Sequence, residues 1–124
     1  MNTYILEGKQ PKPVDNVLEW AKWIETGKRR VDQTKIGSVF VSTIFLGLDY
    51  SFGKGEPILF ETMVFGGKFD GYMQRYATWD GAEIGHQSIT NLIQQALEQE
   101  FEPKTIEEKV TRIGFGKSDR ALDL

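Results

Sequence analysis

The sequence predicts an α+β fold. We expect an antiparallel β-meander of about four to six strands, with one short N-terminal helix and one longer C-terminal helix packed on it. Two runs of β-branched and aromatic residues, around a glycine-rich turn, fill the stretch from Val39 to Gly67. Segments with helical spacing of apolar residues flank this stretch. The connections between strands are short, so sequential strands are expected to pair antiparallel.

Length and composition predict a single domain. The chain has 124 residues, of which 40% are hydrophobic, enough to form a core without disulfides. We assign residues 1–115 to the domain and residues 116–124 to a polar tail. The chain has no cysteine and one histidine, which excludes thiol nucleophiles, thiolate metal sites and multi-histidine metal sites within one chain. We predict no cofactor and no metal site, although a carboxylate site for magnesium remains open.

Charge and hydropathy exclude further classes of protein. The formal net charge of −3 argues against binding to duplex nucleic acid, which requires a basic face. No apolar run approaches the roughly 18 residues of a membrane span, and the first residues do not resemble a signal peptide. A soluble intracellular protein is expected.

The N-terminal segment predicts a strand, a helix and a second strand. Thr3 to Glu7 is a strand candidate, and residues 9–14, with two prolines, should be extended. Asp15 is expected to cap a helix from Asn16 to Thr26. Gly27 is expected to end this helix in a left-handed conformation, and Arg30 to Lys35 is a strand candidate. The apolar face of the helix would consist of Val17, Trp20, Ala21 and Ile24.

The central strands are apolar on both faces. Ser38 to Tyr50 and Ile58 to Phe65 are predicted to form a hairpin across the flexible loop from Ser51 to Glu56, and Tyr72 to Thr78 would add a further strand. Gly47 indicates a bulge or a close approach by another group. Apolar residues on both faces indicate a strand that is covered on both sides or lines a cavity. Two helices are few for such a sheet, which favours a homodimer.

The second helix is predicted from its apolar stripe. Thr78 or Asp80 would cap it, and Asp80 with Glu83 resembles a capping box. Gly81 and Gly85 indicate close packing on the sheet or local mobility. Pro103 would end the helix, and the segment Thr105 to Phe115 could be either helix or strand. The stripe consists of Ala82, His86, Ile89, Leu92, Ile93, Ala96, Leu97 and Phe101.

Polar residues inside apolar runs are the candidates for a site. Glu61 would need a partner if its strand were covered. Arg75 on the adjacent strand could supply that partner in a structural ion pair; otherwise Glu61 would form the floor of a pocket. Asp49 is either a turn residue that binds nearby backbone amides or a group at a cleft mouth, with Lys54 on the loop above it.

Aromatic and imidazole groups complete the candidate site. His86 is either a satisfied core residue or a hydrogen-bonding or acid–base group. Tyr72, Tyr76 and Trp79 either belong to the core or form, with Arg75, a platform on which a purine or pyrimidine could stack. Ligand binding would then involve Glu61, Arg75, Tyr72, Tyr76, Trp79, His86 and Lys54.

Three segments resemble one family. VSTIFLGLDYSFG, PILFETMVFGG and RYATWDGAEIGH are similar to short proteins associated with bacteriophages, prophages and their bacterial hosts, and the resemblance extends from DNVLEWAKWIET to GHQSI. Gly81 stands where that family usually carries an acidic residue, which weakens the capping box. The resemblance implies no particular activity, so it assigns no catalytic or binding role to any residue. It implies the cytoplasm of a bacterial host and a protein that modulates the host or its defences.

The favoured hypothesis is a non-enzymatic protein that sequesters a nucleotide-like host signal. The first alternative is a small hydrolase or phosphodiesterase that uses His86 with Glu61 or Asp49, which would have to lie within hydrogen-bonding distance. The second alternative is an inhibitor that binds a host protein through a surface patch.

Overall fold

A computed structural model describes the backbone of residues 2–101 and the side chains up to residue 99. It contains six strands and two helices, which confirms the predicted α+β class. Pro103, the segment Thr105 to Phe115 and the predicted tail lie outside the described residues. The elements are β1 (Tyr4–Glu7), β2 (Gln10–Pro13), α1 (Val17–Thr26), β3 (Arg30–Ile36), β4 (Val39–Phe45), β5 (Phe60–Phe65), β6 (Met73–Tyr76) and α2 (Trp79–Phe101).

The strands form two antiparallel sheets. The larger sheet has the order β3-β4-β5-β6, so it is a meander in chain order. The smaller sheet is the hairpin of β1 and β2. Backbone hydrogen bonds join the small sheet to the segment after β4: the Tyr4 amide donates to the Gly47 carbonyl at 2.9 Å, and the Asp49 amide donates to the Asn2 carbonyl at 3.0 Å. The small sheet is therefore fixed at one end of the meander.

Helix α1 begins one residue later than the sequence indicated. Asn16, not Asp15, is the N-cap, because its Oδ1 accepts hydrogen bonds from the Leu18 and Glu19 amides, both at 3.0 Å. Gly27 is not left-handed as predicted. Its φ is −73°, in the extended region, and its amide still donates to the Trp23 carbonyl. The side of the helix toward the core carries half-buried Trp20, Trp23 and Ile24, whereas the predicted face members Val17 and Ala21 are exposed.

The predicted close approach at Gly47 is present. Its φ is +79°, and a Cβ there would overlap the Ile24 side chain. The Trp20 indole donates from Nε1 to the Gly47 carbonyl at 3.0 Å. Glycine thus allows α1 to approach the end of β4 closely.

Helix α2 covers one face of the meander. Thr78 caps it, because its Oγ1 accepts a hydrogen bond from the Gly81 amide at 3.0 Å. Asp80, the alternative cap, lies inside the first turn of the helix. The described part of the apolar stripe is confirmed. Leu92 and Leu97 are half-buried, and the buried members are Ala82, His86, Ile89, Ile93 and Ala96.

The central strands are shorter and less covered than predicted. Strand β4 spans Val39–Phe45 rather than Ser38 to Tyr50, and β5 begins at Phe60 rather than Ile58. Only one face of the sheet is covered by described residues. Phe45 and Phe60 on that face are 0% exposed and lie in a core cluster with residues of α1, α2 and β1. Both helices and the small sheet therefore lie on the same side of the meander.

The other side of the meander is called the open face below. From β4 it carries Phe40, which is 36% exposed, and from β5 it carries Phe65, which is 50% exposed. Its residues follow from the alternation of side chains along paired strands. They are Arg30, Gln33, Lys35, Phe40, Ser42, Ile44, Glu61, Met63, Phe65, Met73 and Arg75.

Within residues 2–101, neither helix combines the length and the apolar composition needed to cross a membrane.

Candidate functional site

The structure separates the predicted site residues into different environments. Glu61 and Arg75 lie on the open face, whereas His86 and the Tyr76 hydroxyl lie between α2 and the sheet. The remaining residues lie elsewhere: half-buried Tyr72 packs against the core cluster under α2, Trp79 lies at the start of α2, and Lys54 is on an exposed loop. The predicted meeting of Glu61, Arg75 and His86 at one site does not occur, because the sheet lies between them.

Glu61 and Arg75 form the cross-strand ion pair that the sequence predicted. They are directly opposed in the register, and Arg75 Nε donates to Glu61 Oε2 at 3.0 Å. The Arg75 guanidinium also lies 4.2 Å from the centre of the Tyr50 ring. Tyr50, which the sequence did not single out, is thus an aromatic partner of Arg75.

Asp49 is a turn residue. Its Oδ1 accepts hydrogen bonds from the Ser51 amide at 2.8 Å and the Ile58 amide at 3.0 Å. These bonds, first that from Ser51, lower the pKa of the Asp49 carboxyl. The carboxylate therefore joins the two ends of the loop between β4 and β5.

His86 is the centre of a buried chain of hydrogen bonds. It is 1% exposed. Its Nδ1 lies 2.6 Å from Thr43 Oγ1, and its Nε2 lies 2.9 Å from Thr34 Oγ1. Thr43 Oγ1 is 2.6 Å from Thr62 Oγ1, which in turn accepts a hydrogen bond from the Tyr76 hydroxyl at 3.0 Å. The chain connects α2 to all four strands of the meander.

One complete arrangement of these hydrogen bonds contains a neutral imidazole. In it Tyr76 donates to Thr62, Thr62 donates to Thr43 and Thr43 donates to Nδ1, since each hydroxyl has one proton. The ring proton then lies on Nε2, which is also 3.7 Å from a carboxylate oxygen of Asp32. A second ring proton, on Nδ1, would make Thr43 accept from His86 and donate to Thr62. Burial of the imidazole lowers its pKa and so favours neutral His86.

The catalytic pairing that a hydrolase would need is not formed. His86 contacts the Thr43–Thr62 pair on the covered face, whereas Glu61, next to Thr62 in β5, points to the open face. Asp49 uses its carboxylate to hold backbone amides. The geometry thus favours the interpretation of His86 as a satisfied core residue.

The stability of the protein is expected to depend on the protonation of His86. Burial lowers its pKa below the ordinary value of 6.5, and the Asp32 charge partly opposes this effect. Between the folded pKa and 6.5 the unfolded chain binds more protons than the folded chain. The free energy of unfolding should therefore fall as the pH is lowered through this window, by up to about 1.4 kcal/mol per pH unit. Urea unfolding between about pH 7.5 and 5.5, above the range in which ordinary carboxylates titrate, measures this slope.

His86→Gln is the control for this prediction. Glutamine does not titrate, so the variant should show a flatter profile in the same window, even if it is less stable at every pH. An equal slope in both proteins would contradict the assignment to His86.

A cleft lies between three separate parts of the chain. It has a volume of about 440 Å³, within the range of small-molecule sites. One wall is the β1–β2 hairpin, the second is the segment before β5, and the third is the turn from β6 into α2. We call it the Trp79 cleft; its lining is Tyr4, Lys9, Gln10, Pro11, Glu56, Pro57, Leu59, Ala77, Thr78, Trp79 and Asp80.

Trp79 and Lys9 are the central groups of the Trp79 cleft. The Lys9 ammonium lies 5.8 Å from the centre of the Trp79 ring. The ring packs edge-on against Phe60 at 6.2 Å between centroids, which fixes its plane. Its indole N–H is buried and finds no acceptor among residues 2–99. The cleft thus combines an aromatic ring and an exposed lysine cation.

Trp79 is the only lining residue of this cleft that the sequence singled out as a ligand-binding candidate. Lys9, Tyr4 and Glu56 were missed, because they come from segments that are far apart in the chain and meet only after the hairpin docks. The one available signal was the lysine in the tight Gly8-Lys9 turn between two short strands.

No family model, curated protein or solved structure matches this chain.

Proposed function

We propose that the protein is a non-enzymatic binding protein that holds a nucleotide-like ligand in the Trp79 cleft. The observation that carries this proposal is the cleft of about 440 Å³ in which a lysine ammonium lies over an indole ring. A nucleotide supplies the two complementary groups, a flat base and an anionic phosphate.

The chemistry of the cleft suits such a ligand. A base stacked on Trp79 would gain about 1–3 kcal/mol and would displace Lys9 from above the ring. The Lys9 ammonium could then pair with a phosphate. At present it lies 3.9 Å from Glu83 on an exposed surface, a contact that costs little to break.

Acidic groups at the cleft favour binding of ligand hydrogen-bond donors. Glu56 and Asp80 are exposed lining residues, and their carboxylates could accept hydrogen bonds from ribose hydroxyls or base amino groups. The only histidine of the chain is buried elsewhere, so an imidazole acid–base group is not available at the cleft. This supports binding over catalysis.

The resemblance to phage-associated proteins gives this binding a biological purpose. A small protein that sequesters a host signalling nucleotide would act against a host defence that depends on that nucleotide. This step rests on the resemblance, and the cleft itself supports only the class of ligand.

Titration calorimetry with a panel of nucleoside monophosphates, nucleoside diphosphates and cyclic dinucleotides tests the proposal. We expect at least one of them to bind and Lys9→Ala to weaken its binding about tenfold, which corresponds to about 1.4 kcal/mol. Lys12→Ala is the matched control. Lys12 is an exposed lysine of the same hairpin that pairs with Glu7 at 3.3 Å and does not line the cleft.

The result that would overturn this function is an absence of binding across the panel. Equal losses in Lys9→Ala and Lys12→Ala would also count against the cleft, because they would indicate a general charge effect.

A further inference from the structure

The open face presents more apolar surface than its position in a single chain explains. Phe40, Phe65 and Met73 are 36%, 50% and 43% exposed. The Phe40 and Phe65 rings are in contact, with centroids 6.3 Å apart. Met63 lies opposite Met73 in the register and is half-buried. These four residues form a continuous apolar area across three neighbouring strands, which is typical of an interaction surface.

The charges on the open face indicate which kind of partner it fits. The Arg75 guanidinium is already paired with Glu61 and lies over Tyr50, so burial of this area would leave no unpaired charge at its centre. Arg30 and Lys35 are exposed on β3, at an edge of the sheet. An anionic partner such as nucleic acid would find these two cations at one edge rather than across the face, and the chain as a whole is negative. A partner whose contact surface is also apolar, with its charges paired, fits this face better than an anionic partner does.

We propose that a second copy of this chain covers the open face, so that two meanders pack face to face as a homodimer. Four strands about 4.8 Å apart and six residues at about 3.3 Å rise give this face a projected area of roughly 400 Å². Specific interfaces at the lower end of the size range bury about 600 Å² of accessible surface per partner. We therefore expect a small interface and a dimer that dissociates on dilution.

The register of the strands allows a symmetric contact between the two copies. A two-fold axis parallel to the strands, between β4 and β5, exchanges β4 of one copy with β5 of the other. Phe40 and Phe65 are opposed in the register, so this axis places Phe40 of each copy over Phe65 of the other. Ser42 and Met63, the next pair on the same face, meet in the same way. The interface is thus isologous, as in most soluble dimers.

Sedimentation equilibrium over a range of concentrations tests the dimer. The intact chain is expected to approach 28.2 kDa, twice the 14.1 kDa of one chain. Phe65→Glu should raise the dimer dissociation constant more than tenfold. Met73→Glu should act in the same direction, and circular dichroism of both variants checks that they fold. Phe52→Glu is the matched control, because Phe52 is 70% exposed but lies in the loop between β4 and β5.

Three outcomes would overturn the dimer. The first is a monomer at every concentration. The second is that Phe65→Glu and Met73→Glu both fold and associate as the unchanged chain does. The third is that Phe52→Glu weakens the dimer as much as Phe65→Glu does. None of them bears on nucleotide binding, because Phe65 and Met73 do not line the Trp79 cleft.

Discussion

Gly85→Ala is expected to destabilise the protein by roughly 3 kcal/mol, the upper part of the range for overpacked sites. Alanine normally stabilises a helix relative to glycine by about 1 kcal/mol. Here the added Cβ would overlap the ring and hydroxyl of Tyr76. The ring cannot move freely, because its hydroxyl donates to Thr62 in the buried hydrogen-bond chain. Urea or thermal unfolding, followed by circular dichroism, measures the loss.

A double-mutant cycle with Tyr76→Ala isolates this overlap. Removal of the ring costs stability on its own, but in that background Gly85→Ala should cost little or become favourable, which gives a large coupling energy. Gly81→Ala is a useful comparison in the same helix, since its Cβ would lie 3.1 Å from the Thr78 hydroxyl and 3.9 Å from Tyr76 Cβ. If Gly85→Ala alone made the protein more stable, this result would contradict the close packing of α2 on β6.

Thr43→Val is expected to destabilise the protein by about 3 kcal/mol, because it removes one hydroxyl and takes one hydrogen bond from each of two buried groups. Thr43 Oγ1 contacts both Thr62 Oγ1 and His86 Nδ1 at 2.6 Å. Valine has the same shape, so packing changes little and the loss reports the hydrogen bonds. The free energy of unfolding from urea titration at pH 7.5, where His86 is neutral, measures it.

Thr90→Val is the matched control, with an opposite expectation. Thr90 is 6% exposed, and its hydroxyl finds no hydrogen-bond partner in the described part of the chain. Its removal relieves a buried unsatisfied group, so the variant should be neutral or more stable by up to about 1 kcal/mol. Equal effects of the two substitutions would mean that the Thr43 hydroxyl contributes no more than an unpaired one.

Much of this fold could be predicted because its local signals agree. The stripe from Ala82 to Ala96 has the period of a helix, and its members are buried. Glycine inside an apolar strand indicated a close approach, and Gly47 lies against α1. The coverage of the sheet could not be predicted. Apolar residues at Phe40 and Ile44 show that a face is apolar, but they carry no information on whether this chain covers it.

The candidate site was predicted less well, because its residues lie far apart in the sequence. The Glu61–Arg75 pair follows from two adjacent strands, so neighbouring segments were enough to predict it. The partners of His86 depend on the register of β3 and β4, which places Thr34 and Thr43 on the covered face. The Trp79 cleft needs three distant segments at once. Prediction thus weakened as the sequence distance between the participating residues increased.

The chain-order meander also bears on the rate and the order of folding. In β3-β4-β5-β6 every pair of neighbouring strands is also consecutive in sequence, so the sheet can grow by successive hairpins. The longest loop to be closed is residues 46–59, between β4 and β5, and the entropy cost of closure rises only slowly with loop length. Mean sequence separation between contacts is a main determinant of folding rate among small domains. The contacts of α2 with β3 span a longer stretch of chain than any contact between neighbouring strands of the meander, so we expect the helix to dock after the sheet has formed.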